Sequence, residues 1–280
     1  MPQTLAQIRE LLSSRGLRPK HALGQNFLID HNLIERLVDT SGVGQGDTVL
    51  EVGPGTGTLT ESLLARGCCV TACELDDGLA DLLRDQFAAQ TDGGAFRLVH
   101  GDCLASKREV NTEILPEGEF SLVANLPYGA GTPLMLALAA RHTNCTAMAV
   151  TIQAEVANRL MAMPGTPDYG AVSVTLQLAG TLERVAVLGP ECFWPRPKVT
   201  SAMLVWRRTG TAAGDLPRIA DLAQTLFTQR RKHLRAALKR LGPRIGLSLE
   251  AVPEHIAPET RVESLKPADF RALCEAVGER

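Results

Sequence analysis

Four consecutive residues carry the most specific chemistry in this chain: Asn125, Leu126, Pro127 and Tyr128. They follow an apolar run, residues 120–123, that reads as a buried strand. An Asn side chain offers one acceptor and a pair of donors. Proline keeps its carbonyl but has no N–H, so its backbone can only accept. The tyrosine ring adds a flat face for stacking. Two acceptors beside an aromatic plate suit a planar group bearing an amine, such as an adenine turned out of its stack. A Pro-containing turn capped by Asn is the plainer reading of the same residues. The four residues taken alone do not separate the two.

The elements that must position this tip lie upstream. Residues 48–52 read as a buried strand running into Gly53-Pro54-Gly55-Thr56-Gly57 and then a helix carrying Leu59, Leu63 and Leu64. A glycine turn between strand and helix lets backbone approach a ligand, and the helix start favours an anionic group. The spacing departs from the dinucleotide pattern Gly-x-Gly-x-x-Gly. The tighter turn suits a small carboxylate, such as the methionyl end of S-adenosylmethionine, better than a pyrophosphate. A second strand, residues 69–73, ends at Glu74, about 20 residues past the glycines, where an acid can accept both ribose hydroxyls. A third, residues 96–100, ends at Gly101-Asp102. Asp102 could accept from an adenine amine or simply N-cap a helix. Together Gly53, Glu74, Asp102 and Asn125 stand at the carboxyl ends of four successive strands. In an open parallel sheet those ends share the edge where ligands bind.

Before the first strand, Gly24-Gln25-Asn26-Phe27-Leu28 reads either as a surface loop or as a lid offering Gln25, Asn26 and the Leu28 backbone to a ligand. Asp30 is placed to N-cap the following helix, with Leu33, Ile34, Leu37 and Val38 at helical spacing. Downstream, the periodicity predicts a helix over 132–140, a strand over 147–152, a helix over 153–161, a buried helix over 171–179 and strands over 182–188 and 201–207. Between the last two strands, Phe193 could be a second plate facing Tyr128, or could plug the core with Trp194. Residues 209–214 read as a linker. After it a long helix is expected through Leu222, Leu226, Leu234 and Leu238, ended by Gly242-Pro243. On this helix Arg230, Arg231, Lys232, Arg235 and Lys239 form a basic run. A charge run is usually a solvated face, but here it stands in a chain of net charge −2, which makes a local phosphate-binding face a fair expectation.

Composition sets bounds. The chain has 280 residues, 45% of them hydrophobic and 21% charged, enough for a large domain and a small one with a real core. Seven cysteines without a Cys-x-x-Cys pair argue for reduced thiols in a cytosolic protein, not for disulfides or zinc. The first 19 residues lack the apolar core of a signal peptide, and no run of about 20 apolar residues suggests a membrane span. A monomer is the default expectation.

Taken together, Gly24-Gln25-Asn26-Phe27-Leu28, Glu51-Val52-Gly53-Pro54-Gly55-Thr56-Gly57, Glu74-Leu75-Asp76, Gly101-Asp102, Asn125-Leu126-Pro127-Tyr128, Gln153-Ala154-Glu155-Val156-Ala157 and Phe193-Trp194-Pro195-Arg196-Pro197-Lys198-Val199 occur in an order that resembles the ribosomal RNA adenine dimethyltransferases. Leu226-Phe227, Arg230-Arg231-Lys232 and Arg261-Val262-Glu263-Ser264-Leu265 are similar to the small-subunit branch. One departure is Gly129-Ala130-Gly131, where the family usually carries Asn-Ile-Ser or similar.

The resemblance implies an α/β fold: a Rossmann-like class I methyltransferase domain over 1–208 with a seven-stranded, mostly parallel sheet, and a small all-α domain over 209–280 that contributes to RNA binding. It implies S-adenosylmethionine at Asn26, Leu28, Gly53, Glu74, Asp102 and Asn125, a set completed by the flanking Gln25, Gly55, Leu75 and Cys103. The target base would meet Asn125, Leu126, Pro127, Tyr128 and Phe193. The implied substrate is a pair of adjacent adenosines near the 3′ end of small-subunit rRNA, within an immature subunit, both dimethylated on the exocyclic amine, with no metal required. Three rivals remain open: a large-subunit rRNA methyltransferase of the macrolide-resistance type, a non-catalytic ribosome-assembly factor, and a dinucleotide oxidoreductase, which the glycine spacing disfavours.

Overall fold

The computed structural model describes residues 3–106, 108–209 and 215–277. Seven strands form one sheet: β1 (Thr48–Val52), β2 (Cys69–Glu74), β3 (Phe96–His100), β4 (Phe120–Asn125), β5 (Cys145–Gln153), β6 (Gly180–Leu188) and β7 (Ser201–Arg208). Their order is β3-β2-β1-β4-β5-β7-β6. The pairs β3–β2, β2–β1, β1–β4 and β4–β5 are parallel, and β7 runs antiparallel to β5. Central strands of such a sheet are covered on both faces and need unbroken apolar runs. Val49, Leu50, Leu122, Val123, Ala124 and Val150 supply them, all fully buried. The chain order reverses between β1 and β4, and the carboxyl ends of the strands flanking such a switch make a crevice.

Local signals set the helices. Thr4 and Gln7 form a reciprocal cap on α1 (Leu5–Ser14). Asp30 accepts from the Leu33 amide at 3.1 Å and starts α2 (His31–Ser41). After α3 (Thr58–Ala65), Asp76 caps α4 (Asp77–Gln86) through the Leu79 amide at 3.1 Å. The short α5 (Ala88–Asp92), α6 (Gly131–Arg141), α7 (Ala154–Leu160) and α8 (Ala171–Ala179) follow. Up to β7 the expected elements are therefore present, with bounds moved by a few residues at most.

The contacts divide the chain into two units. The first comprises residues 1–138, 144–157 and 183–207; the second comprises 139–143, 158–182 and 208–280. The expected boundary at 208/209 thus leaves out two stretches that group with the C-terminal part. The physical reason lies in the second unit itself, where α8 packs on α9 (Leu216–Phe227) and the buried Tyr169 ring meets Phe227 edge-on at 5.6 Å. Residues 210–214 of the expected linker lie outside the described residues.

The single long basic helix is not formed. α9 stops at Phe227, and α10 (Leu234–Ile245) starts after a turn containing Arg230, Arg231 and Lys232. The backbone of this turn is claimed by a neighbouring segment. The Arg230 carbonyl accepts from the Glu263 amide at 2.9 Å and the Lys232 carbonyl from Val262 at 3.1 Å, while the Leu234 amide donates to the Thr260 carbonyl at 2.8 Å. The Leu234 amide, and likewise the Arg235 amide given to the Pro258 carbonyl at 2.9 Å, cannot also donate into an i→i−4 ladder. Nor do Gly242-Pro243 end the second helix. It continues to Ile245 and closes at Gly246, whose φ of 72° is left-handed and whose amide reaches the Gly242 carbonyl at 2.8 Å. α11 (Pro267–Glu275) completes the unit.

Glu51, on β1, is a buried acid, 1% exposed, with the Thr60 hydroxyl donating to it at 2.7 Å. Burial pushes its carboxyl up to about 8. Below pH 4.5 the group is protonated in folded and unfolded chains alike, and its contribution to stability is fully present. As pH rises toward about 8 the unfolded chain ionises first, so that contribution is progressively lost. Glu51→Gln is expected to keep the fold and flatten the fall in Tm across that interval, measured by calorimetry at stepped pH.

Candidate active site

A cavity of about 340 Å³ opens at the carboxyl ends of β1 to β4, within the first unit, in the range of roughly 300–1,000 Å³ usual for small-molecule sites. Gln25, Asn26, Gly53, Gly55, Glu74, Leu75, Asp102, Cys103, Asn125, Leu126, Pro127 and Tyr128 all line it. The four strand ends expected to share one rim therefore do so.

Two expected residues stand elsewhere. Leu28 lines an adjoining crevice with Gly53, Thr56, Thr58 and Asn125. Phe193 is 2% exposed and does not line the cavity. It pairs with Leu28 in a two-residue antiparallel ladder, Phe27–Leu28 with Phe193–Trp194. Its ring belongs to the core, so the second stacking plate is not presented here. Trp194 is no substitute, because Phe27 stacks on it at 6.2 Å and the Arg9 guanidinium sits 5.3 Å from its ring centre.

The tip residues are held individually. Asn125 Nδ2 donates to the Asn26 carbonyl at 2.9 Å, and Asn125 Oδ1 accepts from the Thr151 hydroxyl at 2.5 Å. The Pro127 carbonyl accepts from the Ala130 amide at 3.3 Å, closing a turn at Gly129, whose φ is 105°. Each of these oxygens retains a second lone pair. The Tyr128 hydroxyl and the Ser201 hydroxyl lie 3.0 Å apart, which anchors the ring at its far end. Burial raises the Tyr128 phenol above its usual range.

Glu74 is 5% exposed. Its oxygens accept from the Gly55 amide at 3.2 Å and the Asp76 amide at 2.9 Å. Burial raises its carboxyl, opposed by those amide bonds. Acceptor capacity remains for a vicinal diol. Asp102 is exposed and caps no helix. Its Oδ1 accepts from the Leu104 amide at 2.9 Å, ahead of a short strand, Leu104–Ser106.

Segment 20–27 is latched to the rim by Asp76, 3% exposed at its side chain, a role that no local pattern signals. Lys20 Nζ lies 2.7 Å from Asp76 Oδ2, and Gln25 Nε2 donates to the same oxygen at 3.2 Å. Burial pushes the Asp76 carboxyl upward, but Lys20 and the Leu79 and Gln25 donors outweigh it and hold it below the usual carboxylate range. Gln25 is thus a strut as well as a lining residue. Gly24 lets this segment close. A Cβ there would stand 3.1 Å from the Tyr128 nitrogen, on a φ of 67°.

In the second unit, the expected phosphate contacts divide. Arg230 is committed to the fold, with Nε 3.0 Å from Glu263 Oε2 and a guanidinium bond of 2.9 Å to the Pro167 carbonyl. Arg235 pairs with Glu259 at 2.7 Å on an exposed face. Arg231, Lys232 and Lys239 are exposed and form no ion pair among the described residues. Arg231 and Lys232 line a groove with Thr228 and Gln229. Among the described residues no cluster of His, Cys, Asp or Glu could hold a metal, and no helix is long and apolar enough to cross a membrane.

At Gly53, φ is 72° and an added Cβ would stand 3.0 Å from Pro127 Cγ. A side chain in that region costs about 1–2 kcal/mol. Gly53→Ala is expected to shift the Pro127 tip and to weaken binding of an adenosyl ligand about tenfold, read by calorimetric titration, with the circular dichroism spectrum unchanged.

The pattern of one family, described as ribosomal RNA adenine dimethylase, matches residues 16–278. A protein of Bifidobacterium longum named ribosomal RNA small subunit methyltransferase A is 38% identical over 288 residues, covering 97% of this chain and 92% of that one. Among solved structures, a dimethyladenosine transferase from Plasmodium falciparum shares the fold, with a TM-score of 0.73 at 20% identity over 88% of this chain and 95% of that one. The 23S rRNA methyltransferase ErmE matches with a TM-score of 0.64 at 27% identity, over 90% of this chain and 99% of that one. With its cavity at the switch point of a seven-stranded sheet and that match across nearly its whole length, this chain belongs to the ribosomal RNA adenine dimethylase family.

Proposed function

We propose that this protein dimethylates the exocyclic amines of two adjacent adenosines in a hairpin near the 3′ end of small-subunit rRNA, with S-adenosylmethionine as donor. The observation that carries the reading is one cavity lined both by the acceptor tip, Asn125, Pro127 and Tyr128, and by the nucleoside rim, Gly53, Gly55, Glu74 and Asp102. The small-subunit choice is supported by the name and the 38% identity of the Bifidobacterium longum relative. The substrate is best presented by an immature subunit, with the protein acting as a monomer in the cytoplasm.

The residues fit the donor. Glu74 keeps spare acceptor capacity on a buried carboxylate for the ribose hydroxyls, the exposed Asp102 can accept from the adenine amine, and Gly53 brings backbone close without a side chain. When bound, the donor supplies an electrophilic methyl on a sulfonium. The remaining work is positional. An adenine amine is a weak nucleophile because its lone pair is delocalised into the ring. The Asn125 Oδ1 and the Pro127 carbonyl accept its two hydrogens and favour a pyramidal nitrogen with a localised lone pair. Tyr128 holds the ring by stacking, worth about 1–3 kcal/mol per base. In the displacement an N–C bond forms, the S–C bond breaks, and the methylated ammonium releases its proton to water. One hydrogen then remains for the second round, so one acceptor lets go.

The large-subunit activity of ErmE is the second reading, favoured by its 27% identity over 90% of this chain. Incubation with labelled donor and separately purified unmodified subunits, followed by mapping of modified bases, decides between them. Label in adjacent adenosines of the small-subunit RNA is expected; label confined to the large subunit reverses the reading. Asn125→Ala is expected to lower turnover by about 100-fold or more while the chain still folds, its Tm lowered by the lost bonds to Asn26 and Thr151, and wild-type-like turnover would remove Asn125 from the mechanism.

The basic turn of the second unit is proposed to hold RNA phosphates through Arg231 and Lys232, with Lys239 on α10 adding a further cation. The double change Arg231→Ala, Lys232→Ala is expected to reduce the slope of log affinity against log salt by about 1–2 without altering Tm. Arg230→Ala, by contrast, should lower Tm, because it removes the contacts to Glu263 and Pro167.

A further inference from the structure

The proposed chemistry depends on which end of the Asn125 amide faces the target amine. An Asn χ2 torsion is broad and roughly two-fold, so an untethered amide presents oxygen or nitrogen with little preference. Turned the wrong way, its –NH₂ would face another –NH₂, donor against donor. One group sets the sense of the amide and a second holds it there. The Asn26 carbonyl can only accept, so the nitrogen must face it, at 2.9 Å. The Thr151 hydroxyl then donates to the oxygen, at 2.5 Å.

Thr151 is well built for that task. It sits on β5 as the Cα partner of Asn125 in the parallel ladder, and its own carbonyl accepts from the Leu126 amide at 3.1 Å. It is 1% exposed, so water does not compete for the hydroxyl. Met203 of β7 pairs with it from the other side and holds the strand in place. Leu126 and Asn125 are thereby tied to one residue by backbone and side chain together.

We propose that Thr151 is a positioning residue for methyl transfer: its hydroxyl keeps Asn125 Oδ1 turned toward the target amine and so sets the rate of the chemical step. This rests on the reading of Asn125 as an amine acceptor. Thr151 touches neither donor nor base in this scheme. Its effect passes through Asn125, and it should change kcat while leaving binding alone.

The test uses the full-length protein with unmodified small subunits and labelled S-adenosylmethionine. Thr151→Val removes the hydroxyl at nearly constant volume, and Thr151→Ser restores it. Valine is expected to lower kcat about tenfold, the worth of one hydrogen bond used in the transition state. The donor Kd, the KM for subunits and Tm should stay near wild type, and serine should recover most of the rate. Valine with wild-type kcat overturns the proposal, as does serine no better than valine, or a loss that appears only in KM or only alongside a lowered Tm. Should valine not fold, serine together with Thr151→Ala carries the same comparison. Asn125→Ala run in parallel separates the two levels. If it retains full turnover, the acceptor reading itself fails; if it is inactive while Thr151→Val is unimpaired, only the role of Thr151 falls.

Discussion

The side-chain amide of Asn125 is the joint on which the first unit turns. It links three segments far apart in the chain: the tip of β4, the segment latched over the rim through the Asn26 carbonyl, and β5 through the Thr151 hydroxyl. A partly buried amide must satisfy both ends. That requirement registers segment 20–27 against the tip of β4, because displacing either one leaves a polar group unpaired. On the proposed reading, the same amide also faces the reacting amine, so the structural constraint and the chemistry use one group.

Around this joint stand three deeply buried acids. Glu74, Asp76 and Glu51 are acids almost removed from water, and each meets the cost differently. Glu74 accepts backbone amides, Asp76 takes a lysine and two further donors, and Glu51 has a threonine hydroxyl and a raised carboxyl. Burial of an acid is tolerable only when its charge is matched or its proton retained. The consequence for function is a preorganised floor. On the proposed reading, the Glu74 carboxylate and the Gly55 amide are already fixed by each other, so little reorganisation is left for binding.

The second unit follows a different logic. Three rings run through its largely aliphatic interior, Tyr169, Phe227 and Phe270, the last two stacked at 5.6 Å, and the Tyr169 hydroxyl donates to the Leu265 carbonyl at 2.8 Å. This packing fixes the turn after Phe227. The turn in turn exposes Arg231 and Lys232 while spending Arg230 on the fold. Neighbouring arginines of identical chemistry thus serve different ends, and only contacts distinguish them.

Much of this was written in the one-dimensional pattern. Apolar runs, glycine spacing and the acids at strand ends determined the parallel sheet, its order of elements and the rim shared by Gly53, Glu74, Asp102 and Asn125, because strand period and turn chemistry are local properties. Tertiary structure decided the rest. It put the Phe193 ring in the core, where pairing with Leu28 holds it, broke the basic helix where residues 260–263 claim its backbone, carried the second helix past Pro243, and gave Thr151 and Asp76 their partners. Each of these outcomes is a competition for a hydrogen bond or an apolar surface between residues distant in the chain. A local pattern states what a residue can offer; only the fold settles which neighbour takes it.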